Sequence, residues 1–262
     1  MNDMFFLNKN GVQFPVKICD GNSLNYNIFW SFTTVSLAWS LDADDLQYSL
    51  SEKYIGSNHY ISDEGYAFDC KSNALTGIFL NVPDENFDGA NFLQNCLKSD
   101  VIRGIPYALN NVKFSAISST DYRYLSDNAD YLICISRDCI EHHTDILRLQ
   151  IHERLDLIFI NKEHCGFILK DPVRSLVRFA DFDIEQNINA DTAIDISPYM
   201  NLYLLYFKTM NHTAWDNLDE KNERIKITLN FISNGLKDAD LSKEPFYALK
   251  EQCERLLHDY YE

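Results

Sequence analysis

An α+β fold is predicted for this 262-residue chain: an antiparallel, β-rich N-terminal two-thirds followed by a helical C-terminal third. Three observations lead there. Apolar and polar residues alternate in stretches of Lys113–Leu169, apolar spacings lengthen to three and four beyond Pro172, and no internal repeat or Gly/Pro linker separates the two regimes. The expectation is a single domain over residues 1–262. If the chain divides, the boundary falls in residues 181–195, which carry five acids and no base, leaving a β-rich 1–180 and a helical 196–262.

The elements follow in order. Val12–Cys19 and Tyr26–Trp39 are rich in β-branched and aromatic residues and read as strands, and Pro15, lacking an N–H, makes the first an edge strand or none. Asp42, Asp44 and Asp45 cap a short helix in which Leu46, Leu50 and Tyr54 recur every fourth residue. A second helix follows Asp88, with Phe92, Leu93, Cys96 and Leu97 on one face. Phe114, Ala116 and Ser118, and later Leu147, Leu149 and Ile151, alternate as half-buried strands do. Tyr131–Ile135 and Leu155–Ile160 are continuously apolar, as central strands are, and Asn161–Gly166 supplies a hairpin loop before Phe167–Leu169. An antiparallel meander ending at Asp171-Pro172 is expected.

Ser197-Pro198 then opens a buried helix over Tyr199–Phe207. Asp216–Gly235 fits two periods: Leu218, Ile225, Leu229 and Ile232 suit a helix, whereas Ile225, Ile227, Leu229 and Phe231 suit a strand. Its length, an Asp216 cap and a Gly235 stop favour the helix. Ser242 caps a last helix that turns Phe246, Leu249, Cys253, Leu256 and Tyr260 inward.

The formal net charge is −16, with 39 acids against 23 Lys and Arg. Such a field repels nucleic acid and anionic membranes and draws in basic proteins at rates that fall with salt. Seven cysteines, an odd number without a C-x-x-C pair, point to reduced, mostly buried thiols and a cytoplasmic setting. The first residues lack a basic segment and a signal-length apolar run, and no run approaches the ~18 apolar residues of a membrane helix.

The nine glycines are never closer than nine positions, which excludes the phosphate loops G-x-G-x-x-G and G-x-x-x-x-G-K-[ST] and the serine elbow G-x-S-x-G. His152-Glu153-Arg154-Leu155-Asp156 resembles H-E-x-x-H but falls at a strand-to-strand turn, where ligands four apart do not converge. Cys139-Ile140-Glu141-His142-His143-Thr144-Asp145 crowds thiol, imidazole and carboxylate, and reads as a short surface helix after Ser136 with Cys139 half buried. The acidic groups at Asp42, Asp44 and Asp45, at Asp181 and Asp183, and at Asp238 and Asp240 read as caps and turns. No catalytic residue, metal or cofactor is expected. The expected partner-binding residues are Asp216, Asp219, Glu220 and Glu223, an exposed stripe for lysines and arginines, together with Tyr260 and Tyr261 as aromatic anchors.

The run Tyr131-Leu132-Ile133-Cys134-Ile135-Ser136-Arg137-Asp138-Cys139-Ile140-Glu141, with Gly166-Phe167-Ile168-Leu169 and Asp181-Phe182-Asp183, resembles the strand, serine-arginine helix start and later strand of some bacterial polymorphic-toxin immunity proteins. That resemblance implies a bacterial cytoplasmic protein that blocks a toxin domain, often a nuclease, delivered by contact-dependent or related secretion systems, and it brings no catalytic residues with it. Two other classes stand beside it: a hydrolase using Cys139 or a pocket near His142 and His152, and a structural or regulatory subunit presenting an apolar face of its last helix.

Overall fold

The computed structural model describes residues 4–7, 13–38, 54–57, 64–110, 118–141, 145–178 and 194–262. In chain order the strands are β1 (Met4–Leu7), β2 (Phe14–Asp20), β3 (Asn27–Trp30), β4 (Thr34–Ala38), β5 (Tyr54–Ser57), β6 (Gly65–Asp69), β7 (Leu75–Asn81), β8 (Glu85–Asn86), β9 (Asp100–Ala108), β10 (Tyr122–Leu125), β11 (Tyr131–Ile135), β12 (Ile146–His152), β13 (Leu155–Ile160) and β14 (Glu163–Lys170). The helices are α1 (Ala90–Lys98), α2 (Arg137–Glu141), α3 (Met200–Thr209), α4 (Ala214–Asp219), α5 (Glu223–Gly235) and α6 (Glu244–Tyr261).

One sheet has the order β1-β2-β9-β12-β13-β14-β11-β10-β8, and β1 also pairs with β14. Six strands thereby close into a barrel from which β11, β10 and β8 extend. The second sheet, β3-β4-β7-β6-β5, is antiparallel throughout. The larger sheet is not: β1 with β14, β8 with β10 and β9 with β12 are parallel pairs. The wholly antiparallel expectation is corrected to a mixed α/β architecture whose helices gather at the C-terminal end. The expected meander is also only partial, because β12, β13 and β14 follow one another while β11 pairs with β14. Period-two alternation reports the face a residue takes, not its neighbouring strand, and the long segment between β9 and β12 carries the chain across to a parallel position.

Pro15 proves to lie inside the barrel wall, since β2 pairs with β1 on one side and β9 on the other. The missing N–H is tolerated because the β2–β9 register begins one residue later, at Val16 opposite Ala108. Phe6, across from Pro15, turns its N–H away to the Lys162 carbonyl at 2.9 Å. Asn161 and Lys162, at φ 52° and 69°, make a two-residue turn between β13 and β14, shorter than the expected loop.

β11, β13 and β14 are buried on both faces. Leu132, Cys134, Leu157, Phe159, Phe167 and Leu169 enter the main core. Ile133, Ile135, Ile158, Ile160 and Ile168 form a second layer with Phe92, Leu93 and Cys96 of α1 and Cys139 of α2. This accounts for their continuous apolar runs.

The helices differ from expectation mainly at their ends. Asp216–Gly235 is helical, but as α4 and α5, separated by Lys221 at φ 53°. Asn222 rather than Asp216 caps α5, its side chain accepting from the Arg224 N–H at 2.9 Å. α6 starts at Glu244, and Ser242 lies in the preceding turn, donating to Asp240 at 2.6 Å. Ser197–Tyr199 is a 3-10 turn leading into α3, which buries Tyr203, Tyr206 and Phe207. Tyr54, expected on a helix with Leu46 and Leu50, begins β5; Asp42, Asp44, Asp45, Leu46, Leu50, Trp39, Phe114, Ala116, His142, His143, Asp181 and Asp183 lie outside the described residues.

One apolar cluster runs continuously from Phe5 in the barrel through Trp30 and Leu80 of the second sheet to Leu229, Leu249 and Leu256 of the helices. The segment after β14 ties these parts together: the Val177 N–H donates to the Trp30 carbonyl of the second sheet (2.8 Å), and Arg178 Nε meets Glu244 of the last helix (3.0 Å).

Candidate functional site

The structure gathers four expected binding residues at one corner. Asp216 and Asp219 project from α4, Glu220 follows it, and Glu223 opens α5; all four are exposed. Glu223 also meets the positive end of the α5 dipole and lies 3.8 Å from Lys226 Nζ. Tyr261 comes to the same corner but braces the fold there. Its hydroxyl donates to the Asn222 carbonyl at 2.7 Å, and Lys226 sits 5.4 Å from its ring centre. Burial pushes the Tyr261 phenol pKa up, as does the nearby Glu223 charge. Tyr260 is half-buried against the main core.

The alternating apolar set of α5 explains its ambiguous sequence. Ile225 and Leu229 turn into the core, and the other two residues face solvent, Ile227 65% exposed and Phe231 61% exposed. They stand one helical turn apart, and the helix carrying them begins at Glu223, where the acidic run ends. In the sequence these two residues serve only as marks of a period, since exposure depends on which face the neighbouring helices cover.

The motif-like groups are dispersed or occupied. His152 and Asp156 do not converge: Asp156 stands opposite Gln150, and His152 opposite Leu155. Asp156 is fully buried between Arg148, at 2.5 and 3.0 Å, and Lys170 Nζ, at 2.9 Å. His152 Nδ1 accepts from the Arg154 N–H, and burial followed by the Arg154 charge lowers its pKa. Cys139 is buried in the layer beneath α1 rather than half exposed. Among the described residues, no group of three or more His, Cys, Asp and Glu is placed to hold a metal. None of their helices is long and apolar enough to cross a membrane.

Two constellations give no signal in the sequence. The first is a cleft of about 200 Å³ between the β3–β4 turn, β10, and helices α3, α4 and α6. Arg123, buried on β10, forms its floor: Nε donates to Asn86 Oδ1 at 3.0 Å, and Nη2 donates to the carbonyls of Phe207 (3.3 Å) and Met210 at the end of α3. The guanidinium lies 4.1 Å from the Phe207 ring centre, and Asp84 is 3.8 Å from Nη1. Desolvation lowers the Arg123 pKa, and the Asp84 charge opposes that shift. Trp215 of α4 stands at the mouth, 37% exposed, its indole N–H donating to Asp84 at 3.0 Å. The ring of Phe32 packs 4.8 Å from that of Tyr206. Phe32 has a left-handed backbone, φ 65°, uncommon for a bulky residue.

The second constellation joins the two sheets. Glu64 accepts from Tyr66 Oη at 2.8 Å and from the Ser119 N–H and Oγ at 3.0 and 2.9 Å, and Tyr66 Oη lies 3.1 Å from His164 Nδ1 on β14. Desolvation depresses the His164 pKa to about 4 and, with the Glu64 charge, raises the Tyr66 pKa. Set beside protein-family models, curated proteins and solved structures, the chain matches none of them.

Proposed function

We propose that this protein is a non-catalytic binding protein that captures a basic protein partner on the face formed by α4 and the start and middle of α5. The observation that carries the reading is the pair Ile227 and Phe231, held in solvent on the helix that follows Asp216, Asp219, Glu220 and Glu223. Acids at one end of an exposed apolar pair divide the work of recognition with it. The charges accelerate encounter with a lysine- and arginine-rich surface, and the aromatic side chain slows release once desolvated. Burying Ile227 and Phe231 contributes about 1.5–3 kcal/mol each before the costs of association.

Within this class, the resemblance to immunity proteins favours a cytoplasmic bacterial inhibitor of a toxin domain. A nuclease domain is the best-fitting target, because a surface built to hold phosphates is basic and is masked by an acidic one. Inhibition is then steric and electrostatic, with no chemical step.

The test uses the purified chain as bait in a lysate of its own organism at low and high salt. The bound protein is identified by mass spectrometry, and its binding kinetics are measured on the purified pair. Reversing Asp219, Glu220 and Glu223 to lysine should slow association at least about tenfold, and Phe231→Ala should mainly hasten dissociation. A partner that is not basic, or one retained equally by both variants, removes this face as the binding site.

A further inference from the structure

The cleft above Arg123 has a floor that is only partly neutralised. Of the guanidinium's donors, Nε and Nη2 are taken by Asn86, Phe207 and Met210. Among the described residues, Nη1 has only the Asp84 carboxylate, at 3.8 Å, which is beyond hydrogen-bonding distance. Arg123 lines the cleft, and none of the described residues accepts a hydrogen bond from its Nη1. Asp84 is itself divided, its other oxygen accepting from Trp215.

The walls suit a flat apolar group. Phe207 lies against the guanidinium, Phe32 and Tyr206 pack beside it, and Trp215 lines the cleft as well. The left-handed backbone that places Phe32, φ 65°, is uncommon for a bulky residue and must be held in place by its surroundings. The turn does so through the Ser31 N–H to the Thr34 carbonyl (3.0 Å), their hydroxyls (2.6 Å apart) and the Val82 N–H to the Thr33 carbonyl (2.7 Å). The volume, about 200 Å³, exceeds the ~150 Å³ of an engineered apolar cavity that holds benzene, leaving room for one ring and one small polar substituent.

We propose that this cleft binds a small planar aromatic carboxylate, its ring against the aromatic walls and its carboxylate on the Nη1 edge of Arg123. Arg255, which also lines the cleft, adds a second positive charge. Docking moves Asp84 off the guanidinium, which costs little because that contact is already loose. This site is independent of protein capture on α5, and the two differ in their response to salt. The net charge of −16 repels a small anion at long range, so added salt screens the repulsion and spares the buried contact. Affinity for the acid therefore holds or rises with salt, whereas association with a basic protein slows.

The test is a titration of the full chain with benzoate and phenylacetate, and with neutral benzamide as the control, followed by amide and indole N–H NMR shifts. The expected result is saturable binding of the acids with shifts centred on Phe32, Thr33, Asp84 and the Trp215 indole, and binding of benzamide at least about tenfold weaker. Arg123→Gln should abolish the preference for the acid; because it also strips α3 of a donor, Thr33→Phe, which fills the cleft and leaves Arg123 in place, is the second variant and should abolish binding. Absence of saturable shifts with either acid, benzamide binding as tightly as benzoate, or binding that survives Thr33→Phe would each overturn the proposal.

Discussion

Arg148 on β12 and Arg123 on β10 both leave a strand to hold the end of a helix. Arg148 donates to the Leu97 carbonyl in the last turn of α1, at 2.7 Å, and Arg123 to the carbonyls of Phe207 and Met210 at the end of α3. They differ in how their charge is answered. Asp156, fully buried, takes Arg148 through two nitrogens and Lys170 through its other oxygen. Asp84, with a side chain 40% exposed, stands 3.8 Å from Arg123 and is shared with Trp215. Burial of a cation therefore does not by itself mark a structural role here. One arginine sits in a closed network, and the other faces an open cleft with its acid held at a distance.

The strongest way to break this comparison is to remove each acid. Asp156→Ala strands two cations beside the barrel and should cost about 3–5 kcal/mol in urea unfolding, whereas Asp84→Ala should cost less than about 1 kcal/mol. Equal losses would mean that the two sites are neutralised alike.

Next in size is an acid response that belongs to neither arginine. His164 has a folded pKa of about 4, below the ordinary value near 6.5, so folding favours the neutral ring. Its contribution is fully present above pH 6.5, declines as pH falls because the unfolded chain takes up the proton, and levels off below pH 4. The loss is about 3 kcal/mol. Thermal unfolding between about pH 7 and pH 4 should show a clearly steeper slope in the native chain than in His164→Gln, which keeps only the smaller share of groups such as His152.

A smaller effect separates the arginines by region. Arg123→Met leaves carbonyls at the end of α3 without their donor and should cost about 2 kcal/mol. Amide exchange should quicken in α3 and α4 while α1, held by Arg148, stays protected. The smallest change in stability is expected at the exposed pair: Ile227→Ser and Phe231→Ser should each shift stability by less than about 0.5 kcal/mol. A large loss at either would show that the side chain supports the fold rather than a partner.

Local structure was largely legible in the sequence, and pairing was not. Tyr131–Ile135 and Leu155–Ile160 read as central strands because both faces are apolar, and α1 was marked by Phe92, Leu93 and Cys96 at helical spacing. Met4–Leu7 gave no strand signal: four residues are too few to show a period, yet they close the barrel. The acidic corner at Asp216–Glu223 was visible because charge is a property of sequence. Arg123 was not, because one arginine on a four-residue strand carries no signal until Asn86 and the end of α3 are brought to it across the fold.

The pairing of β1 with β14 sets a timetable for synthesis. Phe6 cannot meet its partner until Glu163 has been made, which at roughly 5–20 residues per second means a delay on the order of ten seconds. Throughout that interval, Phe5 and Leu7, both buried at the end, have no finished barrel to enter. Phe5 and Leu7 thus stay uncovered until the rest of the wall has been made, and the barrel should fold slowly, as chains dominated by distant contacts do. Assembly of the wall thus waits on β14, the last of its strands in sequence, to seat β1, the first.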